Sequence, residues 1–104
     1  MKIFWTEFAS TMLSEIYTYH KEVASAKIAQ KIKHEVFKTT KQLEKHPNSG
    51  QVEEALRKLN EGHRYLVKGN YKIIYKPIKE GILVTDIFDA RQDPLKINDS
   101  SRKR

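Results

Sequence analysis

The sequence predicts an α+β domain: an N-terminal strand, a two-helix hairpin and a three-stranded antiparallel meander, with the helices packed on one face of the sheet. Three observations carry this. Apolar residues recur at three- and four-residue steps as far as Leu43, the pattern changes to strand-like runs after Gly62, and those runs are split by the turn pair Gly69-Asn70. A chain of 104 residues has material for one core. Residues 1–97 are therefore expected to form a single domain, and the polar, basic stretch 98–104 a flexible tail.

Lys2 to Trp5 is short, β-branched and aromatic, which reads as a strand. Thr6 followed by Glu7 suits a helix N-cap with an acidic first turn. Phe8, Met12, Leu13, Ile16 and Tyr17 then give one apolar stripe over about residues 6–22. Ser25 can cap a second helix carrying Ile28, Ile32, Val36, Phe37 and Leu43, which Pro47-Asn48-Ser49-Gly50 ends. Its exposed side holds Lys27, Lys31, Lys33, Lys38 and Lys41 among fewer acids, a pattern that most often marks a solvated face. Residues 50–61 carry no clear period, and Ala55 to Leu59 fits a helical turn or an edge strand equally. His63–Lys68 and Tyr71–Lys76 flank Gly69-Asn70, both of which tolerate positive φ in a two-residue hairpin. Pro77 ends the second strand, and Ile82 to Phe88 supplies the third.

The tight turn fixes which side chains share a face. Pairing Lys68 with Tyr71 puts Val67 opposite Lys72, Tyr65 opposite Ile74 and His63 opposite Lys76. The set Arg64, Leu66, Tyr71, Ile73 and Tyr75 is the more apolar and is expected under the helices. His63, Tyr65, Val67, Lys72, Ile74 and Lys76 are expected to face water on an open side of the sheet.

The formal net charge is +7, with ten Lys/Arg against eight Asp/Glu before residue 62 and ten against five after it. Positive potential is thus expected in the C-terminal half, drawing phosphate polyanions or acidic protein segments. No apolar run is long enough for a spanning helix, and nothing resembles a signal peptide, so a cytoplasmic protein without membrane attachment is expected. Zero cysteines and four scattered histidines exclude a disulfide framework and offer no metal spacing, so no cofactor is expected.

The water-facing set suits polyanion contact, since ammonium groups neutralise phosphates and a ring can stack on a base. Tyr65, Lys72, Lys76 and Arg91 are the candidate target-binding residues. Cleavage of RNA by its own 2′-hydroxyl needs a base, an acid and cations for the transition state. His63 is the candidate acid or base, Lys72 and Arg91 the candidate cations, and Glu53 or Glu54 a candidate base if the preceding loop folds over. Strand lysines also commonly serve only to blunt an exposed sheet.

The ordered set of Trp5-Thr6, Ile16-Tyr17-Thr18-Tyr19, Leu43 to Gln51 with its His46-Pro47…Gly50 loop, Arg64-Tyr65-Leu66, Gly69 to Tyr75 and Arg91-Gln92-Asp93-Pro94 resembles the RelE/ParE toxins of type II toxin–antitoxin systems. The likeness spans about residues 3–95. It implies the fold inferred above, an acidic antitoxin partner in a hetero-oligomer, and a nucleic-acid machine as target. RelE-like relatives cut mRNA on the ribosome; by that resemblance Lys72 stands at the arginine-like strand position and Arg91 at the position after the last strand. His63 and Tyr65 stand where lysines are expected, and Ile97 where a late tyrosine falls. The Tyr-Thr-Tyr end of the first helix, the Glu44 to Gln51 loop and the Arg64-Tyr65-Leu66 strand are more similar to ParE-like relatives, which poison DNA gyrase. Arg64 is then structural and needs a carboxylate or backbone carbonyls. Three readings follow: a ParE-like gyrase poison, a RelE-like ribosome-dependent and metal-independent endoribonuclease, or a degenerate, non-toxic antitoxin-binding protein.

Overall fold

The computed structural model describes residues 1–99 and Arg102. Strand β1 (Lys2–Trp5) leads into helix α1 (Glu7–Val23), whose N-cap Thr6 accepts a hydrogen bond from the Ala9 amide at 3.0 Å. Helix α2 (Ala26–Lys41) starts at Ser25, whose hydroxyl accepts from the Ile28 amide at 3.1 Å. Both caps stand where the sequence places them, because a hydroxyl there satisfies an amide that has no partner within the helix.

Strands β3 (Arg64–Lys68), β4 (Tyr71–Ile78) and β5 (Gly81–Asp89) form the meander. The β3–β4 register is the expected one, from Lys68 opposite Tyr71 to Arg64 opposite Tyr75; His63 precedes the paired stretch. Gly69 takes φ of 59°, whereas Asn70 is not in the positive-φ region, so only the first turn residue needs that freedom. The sheet has a fifth strand, β2 (Gln51–Val52), antiparallel to β3 at one edge. β1 closes the other edge in parallel with β5, giving the order β1-β5-β4-β3-β2. A β-carbon on Gly81 would overlap the Lys2 carbonyl, so only glycine lets β1 lie this close.

The main core lies between helices and sheet. Ala9, Leu13, Val36 and Leu43 meet Tyr71, Ile73, Tyr75, Ile82, Val84 and Ile87. The apolar strand set therefore faces the helices as predicted. The opposite side is not the open surface expected. Two 3₁₀ turns, Glu54–Leu59 and Pro94–Asn98, fold across it and bury Leu56 and Ile97 against Ile74 and Phe88. Each such side chain contributes about 1.5–3 kcal/mol on burial. One- and two-turn segments are too short to display a period, which is why residues 50–61 show none. Of the basic tail expected to flex, residues 100, 101, 103 and 104 lie outside the described residues, while Arg102 reaches back to Asp86.

Candidate functional site

β4 holds Lys72 on the side away from the helices. Its ammonium lies 3.0 and 3.5 Å from the two carboxylate oxygens of Glu53 and 4.2 Å from the centre of the Tyr65 ring. Glu53 is only 3% exposed, and its amide is fixed by the His63 carbonyl at 3.0 Å. The Tyr65 hydroxyl donates to Gln51 at 3.2 Å. Cation, counter-ion and ring form a closed cluster: the charge that would neutralise a phosphate is already neutralised by the chain itself.

The other candidates do not converge on this cluster. His63 is 3% exposed, at the start of β3, rather than facing water. Its carbonyl accepts from the Glu53 amide at 3.0 Å, which ties it to the segment leading into the Glu54–Leu59 turn. Lys76 pairs with Glu61 at 2.8 Å, which holds the Glu61 carboxyl below its ordinary value. Glu54 points outward to Arg57 at 3.1 Å, so of the two adjacent acids it is Glu53 that turns inward. Arg91 is clamped to Asp89 through Nε at 3.0 Å and a terminal nitrogen at 2.8 Å. That clamp lowers the Asp89 carboxyl and raises Arg91. Asp89 stands opposite Tyr71, on the helix side of the sheet, and Arg91 lines a recess of about 370 Å³ with Tyr19 and Tyr71. The Tyr71 hydroxyl shares a 2.8 Å hydrogen bond with His20, and burial raises its pKa. Lys72 and Arg91 thus occupy opposite sides of the sheet.

The loop and strand motifs explain one another. The buried Tyr75 hydroxyl donates to the Pro47 carbonyl at 3.0 Å and accepts from the Gly50 amide at 2.9 Å. Arg64 donates to the Gly50 carbonyl at 2.8 Å, the backbone partner its position demanded. A β-carbon on Gly50 would stand 2.5 Å from the Tyr75 hydroxyl and 2.7 Å from the Tyr65 carbonyl, so glycine is required here. These contacts pin the loop to the sheet and start β2.

Sequence reasoning missed two features. The first is Asp86, fully buried within β5 and held by the guanidinium of Arg102 at 2.9 and 2.6 Å, which also lies over the Phe8 and Phe88 rings. An aspartate inside Val84-Thr85-Asp86-Ile87-Phe88 was the available signal, because a buried carboxylate requires a cation. The second is the placement of charge. Lys68, Lys72 and Lys76, the hairpin lysines, pair with Glu35, Glu53 and Glu61, all of which precede residue 62. The C-terminal excess is largely cancelled in space, contrary to expectation, and among the described residues the lysines outside ion pairs are most numerous on α2.

Beside α2 runs a groove of about 510 Å³ lined by Ile28, Ile32, Val36 and Tyr71 together with Lys31 and the Lys68–Glu35 pair. Among the described residues no helix is long and apolar enough to cross a membrane. Sheet, helix pair and pinned loop together define the fold of the RelE/ParE toxins. A family profile described as "ParE toxin of type II toxin-antitoxin system, parDE" matches residues 3–94, and the chain belongs to that family. A solved structure described as "Chromosomal ParDE TA system from P. aeruginosa" is similar, with a TM-score of 0.71 at 19% identity over 86% of this chain and 95% of the other, a likeness of fold. No curated protein matches the chain.

Proposed function

We propose that this ParE-family chain is a toxin that arrests growth by poisoning DNA gyrase, acts without cleaving nucleic acid itself, and is neutralised by a cognate antitoxin. The observation that carries the reading is the dispersal of the nuclease candidates. Lys72 is neutralised by Glu53, Arg91 is bound to Asp89 across the sheet, and His63 is buried. In-line attack by a 2′-hydroxyl needs its base, acid and cations around one phosphate, and this arrangement offers no such point. The antitoxin reading is supported by the family and by the groove beside α2, whose apolar lining of Ile28, Ile32 and Val36 suits the apolar face of an amphipathic segment.

The test is incubation of the purified protein with gyrase and supercoiled plasmid. The expected result is double-strand breaks that appear only after gyrase is denatured, the mark of a trapped cleavage complex. Unchanged supercoiling with no trapped complex would sink the reading. Codon-phased cuts in translating mRNA, abolished in Arg91→Ala, would instead establish the ribonuclease. Unimpaired growth on induction without antitoxin would establish the degenerate, sequestering protein.

A further inference from the structure

The buried face of α2 is set by Ala29, Val36 and Thr40. On the opposite side stand Lys27, Lys31, His34, Lys38 and Lys41, all exposed, at alternating steps of four and three residues. At about 100° per residue these positions fall within about 40° of a single line along the helix. Lys45, just past the following 3₁₀ turn (Gln42–Glu44), is exposed as well. No carboxylate lies in the stripe: Glu35, the only acid of α2, sits on its flank and is held by Lys68 at 3.1 Å. Among the described residues none of these lysines is in an ion pair, in contrast to the three hairpin lysines.

We infer that this stripe is a docking surface for the phosphate backbone of duplex DNA, gripping it without reading sequence. The rise of a helix spaces the four lysines by about 4.5–10.5 Å and extends the row from Lys27 to Lys41 over about 21 Å. A duplex presents one negative charge per about 1.7 Å of axis, so a straight cationic row of this length lies against about six base pairs of phosphates and releases their counterions. Two features exclude the competing occupants. Protein interfaces bury aromatic and apolar anchors and are depleted of lysine; the stripe has no such anchor, whereas the groove beside it does. Single strands are held by platforms of stacked aromatic rings, and the stripe carries no Phe, Tyr or Trp, Phe37 being turned toward Trp5 at 5.2 Å between ring centres. The inference goes beyond gyrase as target: it assigns DNA contact to the chain itself.

The experiment is fluorescence anisotropy of a labelled short duplex of mixed sequence, titrated with the full-length protein over a range of salt. Wild type is compared with a stripe variant, Lys27→Gln with Lys31→Gln, Lys38→Gln and Lys41→Gln. A charge-matched control carries Lys2→Gln, Lys58→Gln, Lys79→Gln and Lys96→Gln, all exposed elsewhere. The slope of log K against log salt is expected to fall by about 3–4 in the stripe variant and to change far less in the control. Lysine-to-arginine changes at the four stripe positions, which keep charge and fold, should restore the slope. Equal loss in both quadruple variants would show net charge alone at work and overturn the inference. So would tighter capture of a single strand than of duplex, or a stripe variant that keeps duplex binding while losing an acidic peptide. A gyrase complex trapped by the stripe variant with undiminished potency would leave the toxin reading intact while the DNA-docking role fell.

Discussion

Replacing Tyr75 by phenylalanine isolates the contact that fixes the loop to the sheet. The ring is fully buried and retains its packing, so the change removes only an oxygen that accepts from Gly50 at 2.9 Å and donates to Pro47 at 3.0 Å. Gly50 is buried, so its amide is left without a partner, at a cost of about 1–3 kcal/mol. The half-buried Pro47 carbonyl can turn to water and adds about 0.5 kcal/mol. A total near 2–3 kcal/mol corresponds to a drop in Tm of about 10–20 °C in a domain of this size. Urea titration should show a lower midpoint with an unchanged m value. Hydrogen exchange should show the Gly50 amide opening well before the Ile73 amide. A loss under about 0.5 kcal/mol would refute the reasoning, since it would mean that the loop is not held by this hydroxyl. Gly50→Ala should be at least as damaging, and Tyr75→Phe should not rescue it, because the Tyr65 carbonyl at 2.7 Å still obstructs the new carbon.

Arg102→Ala should destabilise the fold by about 3 kcal/mol, because it withdraws a guanidinium from a fully buried carboxylate. Thermal melting measures this, and an unchanged Tm would show that the tail bears no structural load; pairing Arg102→Met with Asp86→Leu should recover most of the loss. Burial raises the pKa of both Tyr71 and Tyr75 above 10.0, so the folded state holds their protons more tightly than the unfolded state. Their contribution is therefore complete below pH 10 and is lost as pH climbs through the raised folded values. In an alkaline titration two of the five tyrosines should ionise only as the helical circular dichroism signal disappears; five independent, normal titrations would contradict the burial.

The periodic part of this chain was readable because its physics is local. Thr6 and Ser25 act on amides three residues on, and the Gly69 turn imposes the register from Lys68 back to Arg64. What depended on distant partners was not readable. Glu35, Glu53 and Glu61 look like ordinary solvated acids until folding carries each against one hairpin lysine. Counting charge along the chain therefore put the free cations in the wrong half. Covering of the second sheet face escaped notice because Leu56 and Ile97 lie in 3₁₀ turns of six and five residues. Within the candidate site, the face of Lys72 and Tyr65 was legible, whereas the burial of His63 and the turn of Arg91 toward Tyr71 follow from loops that carry no pattern.

The first strand has a single sheet neighbour, and that neighbour is the last strand: Lys2 to Trp5 pair with Gly81 to Val84. During synthesis the N-terminal segment leaves the ribosome long before its mate, so Ile3 and Trp5 stay unpaired while the helices and the first hairpin strands emerge. Closing so long a loop is entropically slow and waits for the last strand of the sheet. The edge can seal only after residues 81–84 have been made, and a nascent chain that stops short of them is therefore a poor version of the folded one.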